Sequence, residues 1–241
     1  MAYITARRLF NGLRRPSYAL RVGWRLVTNA DERFVARLTG IATGQVRHFM
    51  NEPFTDNQLA NHLWASEKDL RNRGRSDVAD KRTLRLIYAL VRAMKPATVV
   101  ETGVKHGWSS TYILAAMEQN QHGDLYSIDI HALQDDGREN GWIVPPWLRH
   151  RWNFRVADAK VALEPMMKEI NGADIFFHDS LHTYDHMMWE FEVAYPLIRD
   201  GGLLLADDAV WNLAFTEFAI NSSMTTYGTL SGLGVLRKES T

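Results

Sequence analysis

The sequence of 241 residues contains no cysteine. This absence excludes disulfides, thiolate metal sites and a cysteine nucleophile. No apolar run approaches the ~20 residues that span a bilayer, which argues against an integral membrane protein. A continuous apolar signal core is also lacking, so the expected location is the reducing cytoplasm. The length and the ordinary share of charged residues, 23%, predict one globular domain with an appendage.

Charge is unevenly distributed along the chain, although its net value is zero. Residues 1–100 hold 18 Lys/Arg and 8 Asp/Glu, whereas residues 101–241 hold 10 and 20. No acid occurs before Asp31, and the arginines there alternate with aromatic and leucine side chains. Such a stretch is typical of contact with a membrane surface or with nucleic acid. We favour an amphipathic arm that packs on its own domain or on a partner subunit, because Pro16 interrupts the helix and no RNA-binding module follows.

Residues 1–75 are predicted to form a basic helical extension, and residues 76–241 the larger domain. Within the extension, a helix is predicted to begin at Asp31, and another at a Thr55–Gln58 capping pair. Ser76 or Asp77 is predicted to cap a long helix over residues 78–94, which leads into the larger domain. A homodimer formed through the extension is a further expectation.

A strand, a glycine turn and a helix are predicted over residues 97–117. β-Branched residues at the start predict a buried parallel strand that ends near Glu101. Gly103 and Gly107 break the pattern, and hydroxyl residues from Ser109 begin a helix. Glycine is needed there because a Cβ would block a ligand or would bar positive φ. The four-residue glycine spacing and the carboxylate of Glu101 disfavour a dinucleotide-binding turn, and with it a nicotinamide dehydrogenase.

The same alternation continues along the chain and predicts an α/β fold, a mostly parallel sheet with helices on both faces. Strands are predicted over residues 124–130, 153–158, 173–179 and 203–208, and helices over 160–170, 185–199 and 213–220. An antiparallel pair over residues 224–230 and 232–237 is predicted to end the sheet. Carboxyl ends of parallel strands share one edge, where ligands bind. The acids predicted at that edge are Glu101, Asp129, Asp158, Asp179, Asp207 and Asp208.

Two motifs resemble a known enzyme family. The Glu-x-Gly-x-x-x-Gly-Trp-Ser pattern that begins at Glu101 resembles motif I of class I S-adenosylmethionine-dependent methyltransferases, in the form of the catechol O-methyltransferase group. The Asp-x-x-His-x-Tyr pattern that begins at Asp179 resembles a segment of the group that includes macrolide-sugar O-methyltransferases. The resemblance covers residues 80–241. It implies a Rossmann-like sheet with an antiparallel last strand, S-adenosyl-L-methionine as cofactor, and methyl transfer.

The cofactor is predicted to lie against the first three strands. An acid ~20–30 residues past the glycine turn accepts ribose hydroxyls in such folds, and Asp129 stands at that distance. Asp158, at the predicted end of the third strand, suits the adenine amino group. The predicted cofactor-binding residues are Glu101, Gly103, Gly107, Ser109, Asp129, Asp158 and His178.

Asp179, Asp207 and Asp208 are predicted to hold a divalent cation, because three clustered carboxylates repel one another without one. Mg²⁺ is the expected ion, with Mn²⁺ or Ca²⁺ as alternatives. A different interpretation is that Asp207 or Asp208 caps a helix that begins near Ala209. The strand ends resemble those that supply metal ligands in the catechol group. There the last ligand is typically an asparagine, where this sequence has Asp208.

His182 is the predicted general base, because its ordinary pKa near 6.5 suits proton removal at neutral pH. It occupies the position at which the catechol group carries a catalytic lysine. Asp179 is predicted to share the catalytic role through the cation. The alternative for His182 is a hydrogen-bonded residue at the entry of a helix.

The predicted function is therefore an O-methyltransferase, assisted by a divalent metal, that methylates a hydroxyl of a sugar, a polyketide or a phenolic diol. Two alternatives stay open. One is a metal-independent methyltransferase with His182 as base, and the other is a non-catalytic cofactor-binding protein whose basic arm contacts nucleic acid or a membrane. Acceptor specificity is assigned to residues 1–75 and to the loop over residues 131–150. Trp142 and Trp147 of this loop either cover the ligand or pack on the body.

Overall fold

The computed structural model of this protein describes residues 29–75, 79–222, 227–230 and 232–239. The basic stretch of residues 1–28 and the predicted caps Ser76 and Asp77 lie outside this range. The helices are α1 (Ala30–Thr39), α2 (Thr43–Thr55), α3 (Asn57–Asn72), α4 (Lys81–Met94), α5 (Trp108–Asn120), α6 (Ala159–Glu169), α7 (Tyr184–Ala194) and α8 (Ala214–Asn221). The strands are β1 (Thr98–Thr102), β2 (Asp124–Asp129), β3 (Trp152–Val156), β4 (Ala173–His178), β5 (Ile198–Ala206), β6 (Tyr227–Leu230) and β7 (Leu233–Arg237).

These strands join one sheet in the order β3-β2-β1-β4-β5-β7-β6. The first five strands of the chain run parallel, whereas β7 pairs antiparallel with β5 and β6 pairs antiparallel with β7. The predicted α/β fold, with its mostly parallel sheet and antiparallel ending, is confirmed. The strand order reverses between β1 and β4, and ligands bind outside the carboxyl ends of the strands at such a point.

Helices cover both faces of the sheet, because successive residues of a strand point to opposite sides. Val99 of β1 and Leu203 of β5 belong to one apolar cluster, which also holds residues of α1 to α5. Val100 and Leu204 belong to the other cluster, which holds residues of α6, α7 and α8. The central strands are therefore buried on both sides, as their continuous apolar runs predict.

Helices α1, α2 and α3 are joined to the rest by apolar packing and by sheltered ion pairs. Arg82 of α4 contacts Asp31 at 3.0 Å and Glu32 at 3.2 Å, both on α1. Arg92 of α4 contacts Glu52 of α2 at 2.6 Å. The domain boundary at residue 75 stays a prediction, and helices on both sides of it share one apolar cluster. None of the described helices is long and apolar enough to cross a membrane.

Two predicted helix caps are wrong. Thr55 is the last residue of α2, and the side chain of Asp56 caps α3 by accepting two backbone N–H groups. Helix α4 begins at Lys81 rather than at residue 78, with Asp80 as its capping side chain. In both cases the capping residue is an aspartate, whose short carboxylate reaches the first free N–H groups of the helix. Aspartate is a stronger cap than the predicted Thr55, and the cap at Asp80 makes α4 begin later than predicted.

The helix predicted over residues 185–199 is shorter in the structure. Helix α7 ends at Ala194, and β5 already begins at Ile198. Pro196, between them, has no N–H for a helical hydrogen bond, so the chain passes through one 3₁₀ turn and leaves the helix. Gly201 and Gly202, which follow the predicted end of the helix, lie inside β5.

Candidate functional site

The glycine turn follows β1 at the carboxyl edge of the sheet. Gly103 has a φ of 84° and Gly107 a φ of 88°, both in the left-handed region that favours glycine. A Cβ on Gly103 would lie 2.1 Å from the carbonyl oxygen of Asp179, and one on Gly107 would lie 2.9 Å from the Cα of Gly141. The positive φ agrees with the prediction, but the close approach is to the protein's own loops. Both glycines therefore pack the turn against the loops that follow β4 and β2.

Glu101, two residues before Gly103, is fully buried. Its Oε1 accepts a hydrogen bond from Ser109 at 2.6 Å, and its Oε2 accepts from Ser110 at 2.6 Å and from Ser127 at 2.7 Å. Burial raises the pKa of Glu101, and the three hydroxyls oppose that rise. This carboxylate therefore ties the start of α5 to β1 and β2. The cofactor contacts of Glu101 and Ser109 stay predictions, since their side chains bond to each other here.

Asp129 ends β2 and holds the glycine turn in place. Its Oδ2 accepts the backbone N–H groups of Val104 at 2.8 Å and Lys105 at 3.0 Å, and its Oδ1 accepts that of His131 at 2.9 Å. A carboxylate offers about four lone-pair sites, so capacity for a ligand hydroxyl remains. The side chain is half-buried. Its role at a ribose stays a prediction.

Asp158 does not end the third strand, and this part of the prediction is wrong. Strand β3 ends at Val156, and Asp158 is the N-cap of α6, where it accepts the backbone N–H of Lys160 at 2.9 Å. An aspartate that bonds the backbone two residues on favours a helix start over a strand. The side chain is exposed near the carboxyl end of β3. Its contact with adenine stays a prediction.

The loop over residues 131–150 packs directly on the glycine turn. Two of its backbone N–H groups donate to the carbonyl oxygens of Lys105 and His106, at 2.8 and 3.1 Å. Nε1 of Trp142 donates to Nδ1 of His106 at 3.0 Å. Trp142 therefore packs on the body of the protein, which is the second of the two interpretations of the loop tryptophans. Trp147 is exposed, and its ring meets that of His62 on α3 edge to face.

A buried carboxylate that the sequence analysis missed lies next to the end of β4. Glu190 of α7 is fully buried and accepts hydrogen bonds from four side chains at 2.6 to 3.0 Å. Burial alone would raise its pKa, but the hydrogen-bond donors lower it to about 2. The signal in the sequence is an acid four residues after a histidine in a mostly apolar stretch, which also contains Glu192. The donors are Thr102, His178, Ser180 and His186.

His178, a predicted cofactor-binding residue, is the last residue of β4 and is fully buried. Its Nδ1 donates to Glu190 at 2.6 Å, and its Nε2 has no hydrogen-bond partner among the described residues. Its ring also meets that of His182, with 5.2 Å between the centroids. His178 thus lies between Glu190 and His182, and a direct contact with the cofactor stays a prediction.

Asp179, His182 and Asp207 come together beyond the ends of β4 and β5. One ligand atom from each residue lies within 4.8 Å of the other two, and Nε2 of His182 is 3.8 Å from Oδ1 of Asp179. Burial and the nearby carboxylates of Asp207, Glu101 and Asp208 raise the pKa of Asp179 well above its ordinary value. The two repelling carboxylates fit a divalent cation, since the cation would relieve this repulsion, and the imidazole of His182 lies beside them.

Asp208 is not part of that group, and its role as a third metal ligand beside Asp179 and Asp207 stays a prediction. The φ of Asp208 is 50°, and its carbonyl oxygen accepts the N–H of Trp211 at 2.7 Å in a tight turn. The third residue of the group is His182. The capping alternative for Asp207 and Asp208 is wrong, because α8 begins at Ala214.

A known protein-family model matches the part of the sequence that forms this site. The family model described as a methyltransferase domain matches residues 100–209, which include the glycine turn and the group of Asp179, His182 and Asp207. No curated protein matches the chain at a significant level.

Several solved structures with a similar fold are methyltransferases. One from Geobacter sulfurreducens has a TM-score of 0.56 at 19% identity, over 75% of this chain and 89% of its own. An O-methyltransferase of Streptomyces achromogenes involved in tomaymycin synthesis, solved with S-adenosylmethionine, has a TM-score of 0.57 at 18% identity, and the match covers 73% of this chain and 89% of that one. An O-methyltransferase of Bacillus cereus, solved with S-adenosylhomocysteine, has a TM-score of 0.51 at 14% identity, and the match covers 75% of this chain and 80% of that one. The predicted resemblance to class I S-adenosylmethionine-dependent methyltransferases is confirmed by the domain match and by the fold.

Proposed function

We propose that this protein is a class I methyltransferase that transfers the methyl group of S-adenosyl-L-methionine to a hydroxyl oxygen of a small molecule, assisted by a divalent cation. The observation that carries the proposal is the contact between the glycine turn and the group of Asp179, His182 and Asp207. Gly103 of the glycine turn packs against the backbone of Asp179, which belongs to the group with His182 and Asp207. A methyl donor at the turn and an acceptor at the group would therefore be neighbours, as methyl transfer requires.

The glycine turn and the end of β2 would hold the methyl donor. The turn is fixed from two sides, by Asp129 through its backbone N–H groups and by Glu101 through the start of α5. Such a fixed turn beside a reversal of strand order is where nucleoside cofactors bind in open α/β sheets. Asp129 would accept ribose hydroxyls, and Asp158 would accept the adenine amino group. The similar folds solved with S-adenosylmethionine or its product support this arrangement.

Asp179 and Asp207 would hold the cation. When bound, a divalent ion would supply Lewis acidity that lowers the pKa of the acceptor hydroxyl. His182, next to these carboxylates, would take the proton from that hydroxyl through Nε2. The buried network around Glu190 orients His178, whose ring packs against His182, and so limits the positions that the base can adopt.

Removal of the metal tests the proposal. We expect EDTA to abolish S-adenosylhomocysteine release with a panel of catechols, polyketide phenols and sugars, and Mg²⁺ or Mn²⁺ to restore it. Asp179→Ala is expected to lower turnover by roughly 100-fold or more and to remove the response to metal. The matched control is Asp185→Ala, an exposed acid in the first turn of α7, which should respond to metal like the unaltered protein. Unchanged turnover in Asp179→Ala would rule out the metal site.

A second candidate is methyl transfer without a metal, with His182 as the sole base. The position of His182 beside Asp179 and Asp207 favours it, because this pair of carboxyls keeps one negative charge when it shares a proton, and that charge stabilises a protonated imidazole. Turnover that resists EDTA but is lost in His182→Ala, together with a flattened acid limb of the pH–rate profile, would select this mechanism over the metal-assisted one.

A further inference from the structure

The four hydrogen bonds to Glu190 use the whole acceptor capacity of its carboxylate. Oε2 accepts from the hydroxyl of Thr102 and from Nδ1 of His178, both at 2.6 Å. Oε1 accepts from the hydroxyl of Ser180 at 2.8 Å and from Nε2 of His186 at 3.0 Å. An ionised carboxylate offers about four lone-pair sites, and the protein itself occupies all of them. Glu190 therefore acts on the site through these partners and not by binding a ligand.

Two of the partners end neighbouring strands of the sheet. Thr102 is the last residue of β1 and His178 is the last residue of β4, and the side chains of both bond to Oε2 of Glu190. The backbone carbonyl of Thr102 accepts the N–H of Asp179 at 2.9 Å, and that of His178 accepts the N–H of Asp207 at 2.8 Å. Both acids of the candidate cation site are thus bonded to residues that Glu190 holds.

The loop that carries Asp179 and His182 is held by the same carboxylate. Ser180 directly follows Asp179 and donates to Oε1 of Glu190. The ring of His178, which is bonded to Oε2, meets the ring of His182 with 5.2 Å between the centroids. Each residue of the candidate cation site is therefore one contact away from a partner of Glu190.

Glu190 lies in otherwise apolar surroundings. It is fully buried, and its neighbours on α7, Met187 and Phe191, belong to one of the two apolar clusters. A buried charge carries a desolvation cost that an apolar side chain of similar size would not. An apolar side chain would fill the same space but would make no directed bonds to the ends of β1 and β4. The particular contribution of the carboxylate is therefore the position of these strand ends.

We propose that Glu190 is a positioning residue of the cation site, which fixes the separation of the Asp179 and Asp207 carboxylates through Thr102 and His178. The inference rests on the proposed function and deepens it, because it names a residue that contacts neither cation nor substrate but determines cation affinity. Groups that orient metal ligands typically change metal affinity about 10- to 100-fold when they are altered.

The affinity of the full chain for Mn²⁺, measured by EPR titration without cofactor or acceptor, tests the proposal. Glu190→Gln keeps the size of the side chain but places N–H donors where the carboxylate accepts. We expect it to weaken Mn²⁺ binding about 10- to 100-fold. The control for lost stability is Leu163→Ala, which removes a fully buried side chain of α6. It should unfold at lower urea concentration and bind Mn²⁺ normally. Unchanged affinity in Glu190→Gln, or equal weakening in Leu163→Ala, would overturn the inference.

A second pair of variants distinguishes position from charge, since loss of a nearby negative charge would itself weaken cation binding. Thr102→Val keeps the charge of Glu190 and the shape of the side chain, but removes one of the two bonds to Oε2. We expect it to weaken Mn²⁺ binding about fivefold. Thr98→Val makes the same change at the other end of β1, also at a buried position, and should leave the affinity unchanged. Normal affinity in Thr102→Val, or equal weakening in both variants, would overturn the inference.

Failure of the proposed function has a different signature in the same titrations. If the unaltered chain bound no Mn²⁺, the metal-assisted function would be contradicted, and the inference with it. If the unaltered chain bound Mn²⁺ and both Glu190→Gln and Thr102→Val bound it equally well, the inference would be overturned while the proposed function stood.

Discussion

Two buried carboxylates organise the site at the scale of single residues. Glu101 accepts three hydroxyls beside the glycine turn, and Glu190 accepts four donors beside β4. The sequence predicted an acid at the end of β1, but not that Ser109, Ser110 and Ser127 would surround it. Those partners come from two other elements, and no local pattern records which hydroxyls meet a strand-end acid after folding.

Glu190 predicts a specific dependence of stability on pH. Its pKa is about 2 in the folded protein and near 4.5 ordinarily, so its contribution is present above pH 4.5 and is lost as pH falls toward 2. The shift corresponds to roughly 3 kcal/mol. We expect Glu190→Gln to unfold more easily at pH 7, and to lose less further stability than the unaltered protein between pH 5 and pH 2.5. Urea denaturation at several pH values measures both quantities.

The matched control is Glu192→Gln, which changes an exposed acid on the same helix. It should follow the unaltered protein over the whole pH range. If the free energy of unfolding of Glu190→Gln fell between pH 5 and pH 2.5 as steeply as that of the unaltered protein, Glu190 would not be the group that titrates.

At the scale of elements, the glycine turn packs against the loops that follow β2 and β4 and brings them together. The sequence predicted the strand, the turn and the helix around it with small errors at the ends. It did not predict that Gly103 would pack on Asp179 or Gly107 on Gly141, since these contacts are distant along the chain. The errors at Asp56, Asp80 and Asp158 share one cause: each aspartate caps a helix, which periodicity alone does not reveal.

Substitution of two glycines with similar backbone angles distinguishes the cost of backbone strain from the cost of a packing clash. Gly103 and Gly137 have φ of 84° and 80°, but a Cβ at Gly137 would meet nothing within 4 Å. We expect Gly137→Ala to cost about 1 kcal/mol and to leave S-adenosylhomocysteine affinity unchanged. Gly103→Ala should cost roughly 3 kcal/mol or more and weaken that affinity, because the loop carrying Asp179 must move. Chemical denaturation and calorimetry measure the two effects, and equal effects of the two changes would refute the packing argument.

At the scale of the whole molecule, the helices before residue 75 are built into the same body as the sheet. Their apolar side chains share a cluster with α4 and α5. The uneven charge is partly balanced locally, since Arg82 pairs with Asp31 and Glu32 within the basic half. Sequence motifs gave no role to this region, because a packing surface has no characteristic spacing of reactive residues.

The central claim is that the carboxyl edge of the sheet binds a sulfonium nucleoside at the glycine turn. Isothermal titration calorimetry with S-adenosylhomocysteine, followed by NADH, tests it most directly. The account predicts one site per chain for S-adenosylhomocysteine and no heat of binding with NADH. Absence of S-adenosylhomocysteine binding, or displacement of it by NADH, would contradict the account.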